Sequence, residues 1–193
     1  EKVPPKDWGY LAGLKTALEI KGEDFPEAFL SGISGDCFRF FFPTDALHEG
    51  AFVCPENPLR QACRHLGYDY TYTYDQTSDE SLEEAKCALA GGGVPILGFW
   101  STKPEPPTDW DILIGYDDGE GLLTIRSCDD EDNTYRREEF LDRWVDECVT
   151  LEGPEDGPCY ASRTLFVVQE RDGRKDIRDM YMEAIQRASR ILR

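Results

Sequence analysis

Two apolar segments separated by a short turn of aspartate and glycine constrain the fold of this chain more than any other feature. Trp110–Tyr116 and Leu122–Cys128 flank the turn Asp117–Gly121, and a third apolar segment, Val94–Trp100, precedes them. A turn of this composition reverses the chain over a few residues, so that the flanking segments pair as an antiparallel hairpin. We therefore expect the chain to build an antiparallel sheet.

Segments with a helical spacing of apolar residues precede and interrupt these strands. The first covers Asp7–Lys21, and Gly22 is a typical residue to end it. Ser78 has the side chain of an N-cap, and the helix that it begins continues to Ala90. The other predicted helices are Phe25–Ser31, Asn57–Leu66 and Tyr135–Val145, and the other strands are Phe38–Phe42, Tyr68–Tyr74 and Arg163–Gln169. Helices first, then antiparallel strands with helices between them, predict an α+β fold.

The end of the chain differs from the rest. The 193 residues are enough for one domain with a sizeable core, which we place at residues 1–170. Residues 171–193 are predicted to form a separate amphipathic helix. Three roles are open for this helix: it docks on the domain, it begins a further helical domain, or it recruits a protein partner. Its apolar stripe consists of Ile177, Tyr181, Ala184, Ile185, Ala188 and Ile191.

The net charge of the chain is −18, and this value excludes several classes of partner. Negative charge repels nucleic acid phosphates and anionic lipid surfaces, so neither a nucleic acid nor a membrane is an expected partner. No apolar run approaches the roughly 18–20 residues that a transmembrane helix needs. The odd number of cysteines indicates reduced thiols and therefore a cytoplasmic protein, and the sequence leaves the oligomeric state open.

The seven cysteines indicate reduced thiols, because their number is odd and no CxxC pair occurs. Cys54, Cys63 and His65 lack a fourth zinc ligand at usable spacing. The acidic run Asp129–Asn133 lacks the glycine and the distal glutamate of a calcium-binding EF-hand loop. We therefore expect no metal and no cofactor.

Several segments resemble the papain-like cysteine peptidase superfamily when they are taken together in order. These segments are Trp8-Gly9 with the helix to Gly22, Phe29–Gly35 with Phe38–Phe40, Asp109–Asp117 with Leu123–Ile125, Asp129-Asp130, and Glu139–Trp144. They resemble bacteriocin-processing peptidases, and more closely the N-terminal domain of the butirosin-biosynthesis H protein, an acyltransferase relative. The resemblance implies that N-terminal helices pack on a mostly antiparallel sheet.

The resemblance also implies where an active-site cleft would lie. The family nucleophile is a cysteine at the start of the first helix, and this chain has Trp8 there. The family base is a histidine, and this chain has Asp109. The orienting acid corresponds to Asp129 or Asp130. Tryptophan cannot attack a carbonyl, and a carboxylate raises the pKa of a neighbouring thiol. The resemblance thus implies a cleft, without the family chemistry, formed by Trp8, Cys37, Asp109, Trp110, Asp111 and Asp129.

Two hypotheses of function follow. In the first, the chain is a pseudoenzyme of accessory or biosynthetic role, and its cleft binds a small molecule or a peptide. In the second, Cys37 is a relocated nucleophile of a hydrolase or acyltransferase that acts on amides or thioesters, and His48 or His65 is its base. The sequence alone leaves open whether the chain is an enzyme.

Overall fold

The computed structural model describes residues 9–35, 58–74, 76–98, 110–127, 131–144, 164–171, 173 and 175–191. The helices within these ranges are α1 (Gly9–Ile20), α2 (Glu27–Ser34), α3 (Pro58–Leu66), α4 (Ser78–Ala90), α5 (Arg137–Arg143) and α6 (Ile177–Ile191). The strands are β1 (Tyr68–Tyr74), β2 (Val94–Gly98), β3 (Trp110–Asp117), β4 (Leu122–Arg126), β5 (Asp132–Arg136) and β6 (Thr164–Arg171).

The strands form one antiparallel sheet in the order β1-β6-β2-β3-β4-β5. The last strand along the chain, β6, lies between β1 and β2, and it pairs Thr164 with Gly98 and Val168 with Val94. Helices and an antiparallel sheet in one structure confirm the α+β fold class.

The central strands β2 and β6 are buried on both faces of the sheet, and neighbouring residues of each strand point to opposite sides. Ile96 faces an apolar cluster that contains residues of α1, α2, α3 and α6. Leu97 faces a second cluster, which contains residues of α4 together with Phe140 and Trp144. Each face therefore has its own layer, and we name these the α1 face and the α4 face.

The predicted hairpin is confirmed as β3 and β4. The Asp117 carboxylate accepts hydrogen bonds from the backbone N–H groups of Gly119 (2.9 Å) and Glu120 (3.1 Å). Lys86 of α4 is largely buried and forms an ion pair with Asp118. The turn is thus fixed to the helical layer as well as to its own strands.

The helix predicted at Tyr135–Val145 is wrong in its first part. Asp132–Arg136 is strand β5, in register with β4, and the helix begins only at Arg137. Two features favour the strand. Tyr135 packs against the second cluster while its neighbours are exposed, and the Arg126 guanidinium donates two hydrogen bonds to the Asp132 carboxylate.

The N-cap of α4 is Thr77, not Ser78. The Thr77 hydroxyl accepts a hydrogen bond from the Glu80 N–H (3.3 Å), and the Glu80 carboxylate accepts one from the Thr77 N–H (3.0 Å). This is a capping box, in which the two residues satisfy each other's backbone donors. The other predicted elements are confirmed to within a few residues, except Phe38–Phe42, which lies outside the described residues.

The C-terminal helix α6 docks on α2 through the buried side chains of Met180 and Ala184. The predicted stripe is therefore only partly buried: Ile177, Tyr181 and Ile185 are 51%, 44% and 55% exposed. In the described ranges, neither α6 nor any other helix combines the length and the apolar character needed to span a membrane. The boundary at residue 170 stays a prediction.

We expect Thr77→Ala to lower the free energy of unfolding by about 1 kcal/mol, because the substitution leaves the Glu80 N–H without its cap. Ser78→Ala is the matched control, and it should change stability by less than about 0.5 kcal/mol. Urea denaturation followed by circular dichroism measures both variants. Equal losses in the two variants would contradict the assignment of the cap.

Candidate functional site

Several strand ends meet at one end of the sheet. Gly98, the last residue of β2, pairs with Trp110 at the start of β3 and with Thr164 at the start of β6. At the same end, β4 finishes at Arg126, which pairs with Asp132. We call this the Gly98 end, and the opposite end, where β2 begins, the Val94 end.

Helix α1 crosses the sheet from one end to the other. A Cβ atom on Gly13 would lie 2.5 Å from the Trp110 backbone oxygen and 3.1 Å from Ile96 Cγ2. The absence of a side chain at Gly13 is therefore what lets the helix approach the strand so closely. Beyond the helix, Lys21 Nζ donates to the Gly92 carbonyl (3.0 Å) near the Val94 end. The start of α1 consequently lies beside the start of β3.

Trp110 and Asp111 point to opposite faces of the sheet. The partly exposed side chain of Trp110 packs on the α1 face. Asp111 pairs with Leu97, which belongs to the α4 face, and it is 1% exposed. These two predicted site residues are adjacent in sequence, but only Trp110 faces the layer that contains α1.

Asp111 acts electrostatically on Tyr135. The pKa of Tyr135 is raised, chiefly by burial and also by the negative charges of Asp111 and Glu139. The Arg143 guanidinium opposes this shift, and it lies 5.1 Å from the centre of the Tyr135 ring. The sequence did not point to Tyr135 or Arg143 as site residues. Tyr135 was assigned to a helix, whereas it lies in strand β5 with its side chain toward the core.

Trp144 closes the α4 face at the Gly98 end. Its indole N–H donates to the Gly98 carbonyl (3.1 Å), and its ring contacts Phe140 edge-on. Both aromatic side chains are buried. The end of β2 is therefore held from the α4 face by a hydrogen bond and an aromatic pair.

The predicted acid Asp129 falls between β4 and β5 in the sequence. The described residues on either side of it are linked, because the Ser127 N–H donates to the Glu131 carbonyl (2.9 Å). Asp129 lies outside the described residues, as do Trp8, Cys37, His48, Asp109 and Asp130. Their roles stay predictions, and so do the ligand-binding roles of Trp110 and Asp111.

The second histidine, His65, does not lie at the Gly98 end. It is buried one residue before the end of α3, just ahead of β1, which begins at the Val94 end. His65 Nδ1 lies 3.5 Å from Glu183 Oε2, so it links α3 to α6. Among the described residues there is no group of three side chains placed to hold a metal ion.

The described thiols, Cys63 and Cys87, also lie away from the Gly98 end. Cys63 is buried in the α1-face cluster, where burial raises its pKa to about 12. Cys87 is exposed in the last turn of α4. A thiol with a raised pKa is a poor nucleophile near neutral pH, so Cys63 is a structural residue.

No protein-family model matches the sequence, and no curated protein is significantly similar to it. Among solved structures, the fold is similar to the peptidase domain of Streptococcus ComA, described as a bi-functional ABC transporter involved in a quorum-sensing pathway. The TM-score is 0.51 at 12% sequence identity, and the match covers 88% of this chain and 96% of that domain. The likeness is one of fold, and it supports the papain-like architecture.

The close contact of α1 with β3 leads to a prediction about two helical glycines. Gly13→Ala should lower the free energy of unfolding by about 1–3 kcal/mol, because the methyl group would meet the Trp110 carbonyl. Gly32→Ala in α2 is the matched control, since its nearest neighbour would be Tyr181 Cε1 at 3.8 Å. That variant should be unchanged or up to about 1 kcal/mol more stable. Urea unfolding of both variants distinguishes a packing constraint from helix propensity.

The buried thiol predicts an effect of pH on stability. Cys63 ionises near pH 8.5 when unfolded but keeps its proton to about pH 12 when folded. Between these values the unfolded state binds fewer protons, so stability should fall as pH rises, by up to about 1.4 kcal/mol per pH unit. In Cys63→Ala the free energy of unfolding should fall less steeply with pH than in the wild-type protein, and in Cys87→Ala it should fall as steeply. If the free energy of unfolding depends on pH in the same way in the wild type and both variants, burial does not raise the pKa of Cys63.

Proposed function

We propose that this domain binds a small molecule or a peptide at the Gly98 end of its sheet, and that it is not a peptidase. The observation that carries the proposal is the close packing of Gly13 on Trp110, which brings the start of α1 beside the start of β3. By the family resemblance, the cleft lies where these two elements begin. The fold likeness to a peptidase domain supports a peptide as one class of ligand.

The residue types at this end favour binding over covalent catalysis. Trp110 supplies a partly exposed aromatic surface at the start of β3. The sequence has Trp8 and Asp109 where the resemblance expects a nucleophile and a base. An indole and a carboxylate suit a ligand with an apolar part and a cationic or hydroxyl group. Neither group activates a thiol.

Thiol-dependent turnover tests this proposal against the Cys37 enzyme. A fluorogenic peptide amide and an acyl thioester should be hydrolysed no faster by the wild-type protein than by Cys37→Ala. Cys87→Ala is the matched control for loss of an exposed thiol. Turnover that Cys37→Ala abolishes and Cys87→Ala keeps would overturn the proposal in favour of a hydrolase or acyltransferase.

The binding itself is measurable by nuclear magnetic resonance with a mixture of short peptides and a set of small amines and alcohols. Ligands should shift the Trp110 indole signal, and Asp109→Asn should weaken their binding at least about tenfold, the loss of one charged hydrogen bond. Glu120→Gln, at the exposed turn of the β3–β4 hairpin, should have no effect. Ligands that shift only signals away from the Gly98 end would contradict the proposed position.

A further inference from the structure

Strand β5 forms one edge of the sheet, because it comes last in the order β1-β6-β2-β3-β4-β5. It pairs with β4 on one side, and no described strand lies on its other side. Helix α5 turns from the end of β5 inward over the α4 face, where Phe140 packs in the same cluster as Leu97 of β2. The helix therefore leaves the outer side of β5 to other partners. Such an edge presents backbone donors and acceptors to any strand that fits it.

The hydrogen bonds to β4 show which backbone groups of β5 point outward. The Ser127 N–H donates to the Glu131 carbonyl, and the Arg137 N–H donates to the Gly121 carbonyl, both at 2.9 Å. Inward and outward residues alternate along an antiparallel edge strand. The backbone groups that point away from β4 are therefore those of Asp132, Thr134 and Arg136. In the described ranges, no backbone hydrogen bond from a turn, a loop or a helix cap reaches these three residues.

The side chains of the same three residues share one face of the strand and carry an ordered charge pattern. Asp132, Thr134 and Arg136 are exposed, whereas Asn133 and Tyr135 between them are partly buried. The acid lies two residues before Thr134, and the base lies two residues after it. The Arg136 side chain makes no hydrogen bond that caps α5. The edge is thus symmetric about Thr134, with opposite charges at its two ends.

Asp132 has room for a second cation. It accepts two hydrogen bonds from the Arg126 guanidinium, at 2.7 Å and 2.9 Å, and these bonds lower the pKa of Asp132. The carboxylate is therefore ionised at neutral pH. Its side chain is still 45% exposed. Because an ionised carboxylate can accept about four hydrogen bonds in all, its outer side can accept another arginine.

A second copy of β5 that runs antiparallel, with a two-fold axis beside Thr134, fits this edge. It places Asp132 of each copy opposite Arg136 of the other, and it pairs the two Thr134 residues. Outward backbone groups then meet outward groups along the whole strand. Opposite charges and threonine pairs across neighbouring strands both stabilise a sheet. A two-fold axis beside Asp132 or Arg136 would instead place like charges opposite each other.

We propose that two copies of this chain associate through β5, so that their sheets join into one continuous antiparallel sheet. The contact is short, because β5 has 5 residues. The net charge of −18 on each copy also opposes association. We therefore expect a weak dimer that is favoured at an ionic strength of about 0.15 M, where charges more than about 8 Å apart are largely screened.

Mixing two charge variants tests both the contact and its register. Arg136→Asp places a carboxylate opposite Asp132 of the partner copy, and Asp132→Arg places a guanidinium opposite Arg136 of the partner copy. Sedimentation velocity over a range of protein concentrations should show that the Kd of either variant alone is at least about tenfold above that of the wild type. An equimolar mixture should recover the dimer, because both pairs across the contact again have opposite charges.

Two results of this experiment would overturn the proposal. One is a wild-type protein that stays monomeric at millimolar concentration. The other is a mixture that dimerises no better than its components, while both variants keep the circular dichroism spectrum of the wild type.

Thr134→Pro tests the backbone contact without changing a charge. The Thr134 N–H points away from β4, so the substitution removes no hydrogen bond of the chain itself, and proline is accepted at such edge positions. The Kd of the dimer should rise at least about tenfold, because two hydrogen bonds between the copies are lost. Thr134→Ala is the matched control, since it keeps the N–H, and it should change the Kd by less than about threefold.

A folded Thr134→Pro variant that dimerises like the wild type would show that the copies meet elsewhere, and it would overturn the proposal. If this variant does not fold, the mixing experiment decides alone. All of these variants keep Trp110 and Asp109, so their results are separate from the test of ligand binding at the Gly98 end.

Discussion

The burial of the central strands β2 and β6 on both faces of the sheet is the constraint on which the rest of the structure depends. Within β2, Ile96 packs toward the α1 face and Leu97 toward the α4 face, and both are fully buried. Full burial of one such side chain contributes roughly 1.5–3 kcal/mol. Two helical layers are required to cover these strands, one on each face of the sheet.

Helix α1 makes a close contact near each of its ends, and the proposed cleft lies at the Gly98 end. At the Gly98 end the contact is between backbones: Gly13 lets α1 approach the Trp110 carbonyl. At the Val94 end it is electrostatic: the Lys21 ammonium bridges from the end of α1 to the turn after α4. One end of α1 is thus held by close packing on a backbone and the other by a hydrogen bond, so the start of the helix stays beside the start of β3.

Much of this fold can be predicted from the sequence, and each wrong prediction has a physical cause. The Asp117–Gly121 turn and the apolar runs beside it predicted the β3–β4 hairpin, because local turn chemistry decides register there. Strand β5 was missed, since Asp132–Arg136 is polar and becomes a strand only by pairing with β4. The adjacent Trp110 and Asp111 were placed in one cleft by the resemblance, although neighbouring residues of a strand point to opposite faces of the sheet.

The C-terminal helix shows the same limit. Its apolar stripe was visible in the sequence, but the side that docks, Met180 and Ala184, is rotated from the centre of that stripe. The side of α6 that packs depends on the position of α2 in the folded structure, and the sequence of α6 does not contain that information. The hydrogen bond between Lys21 and Gly92 could not be predicted for a related reason, because the two residues are far apart along the chain.

The position of β6 has a consequence for how the protein is made. This strand follows all the other described strands along the chain, yet it lies between β1 and β2. During synthesis, β1 and β2 therefore leave the ribosome with open edges long before their shared neighbour exists. Unpaired strand edges attract other chains. A nascent chain that ends before Thr164 should accordingly depend on chaperones, and the sheet should be complete only after β6 has emerged.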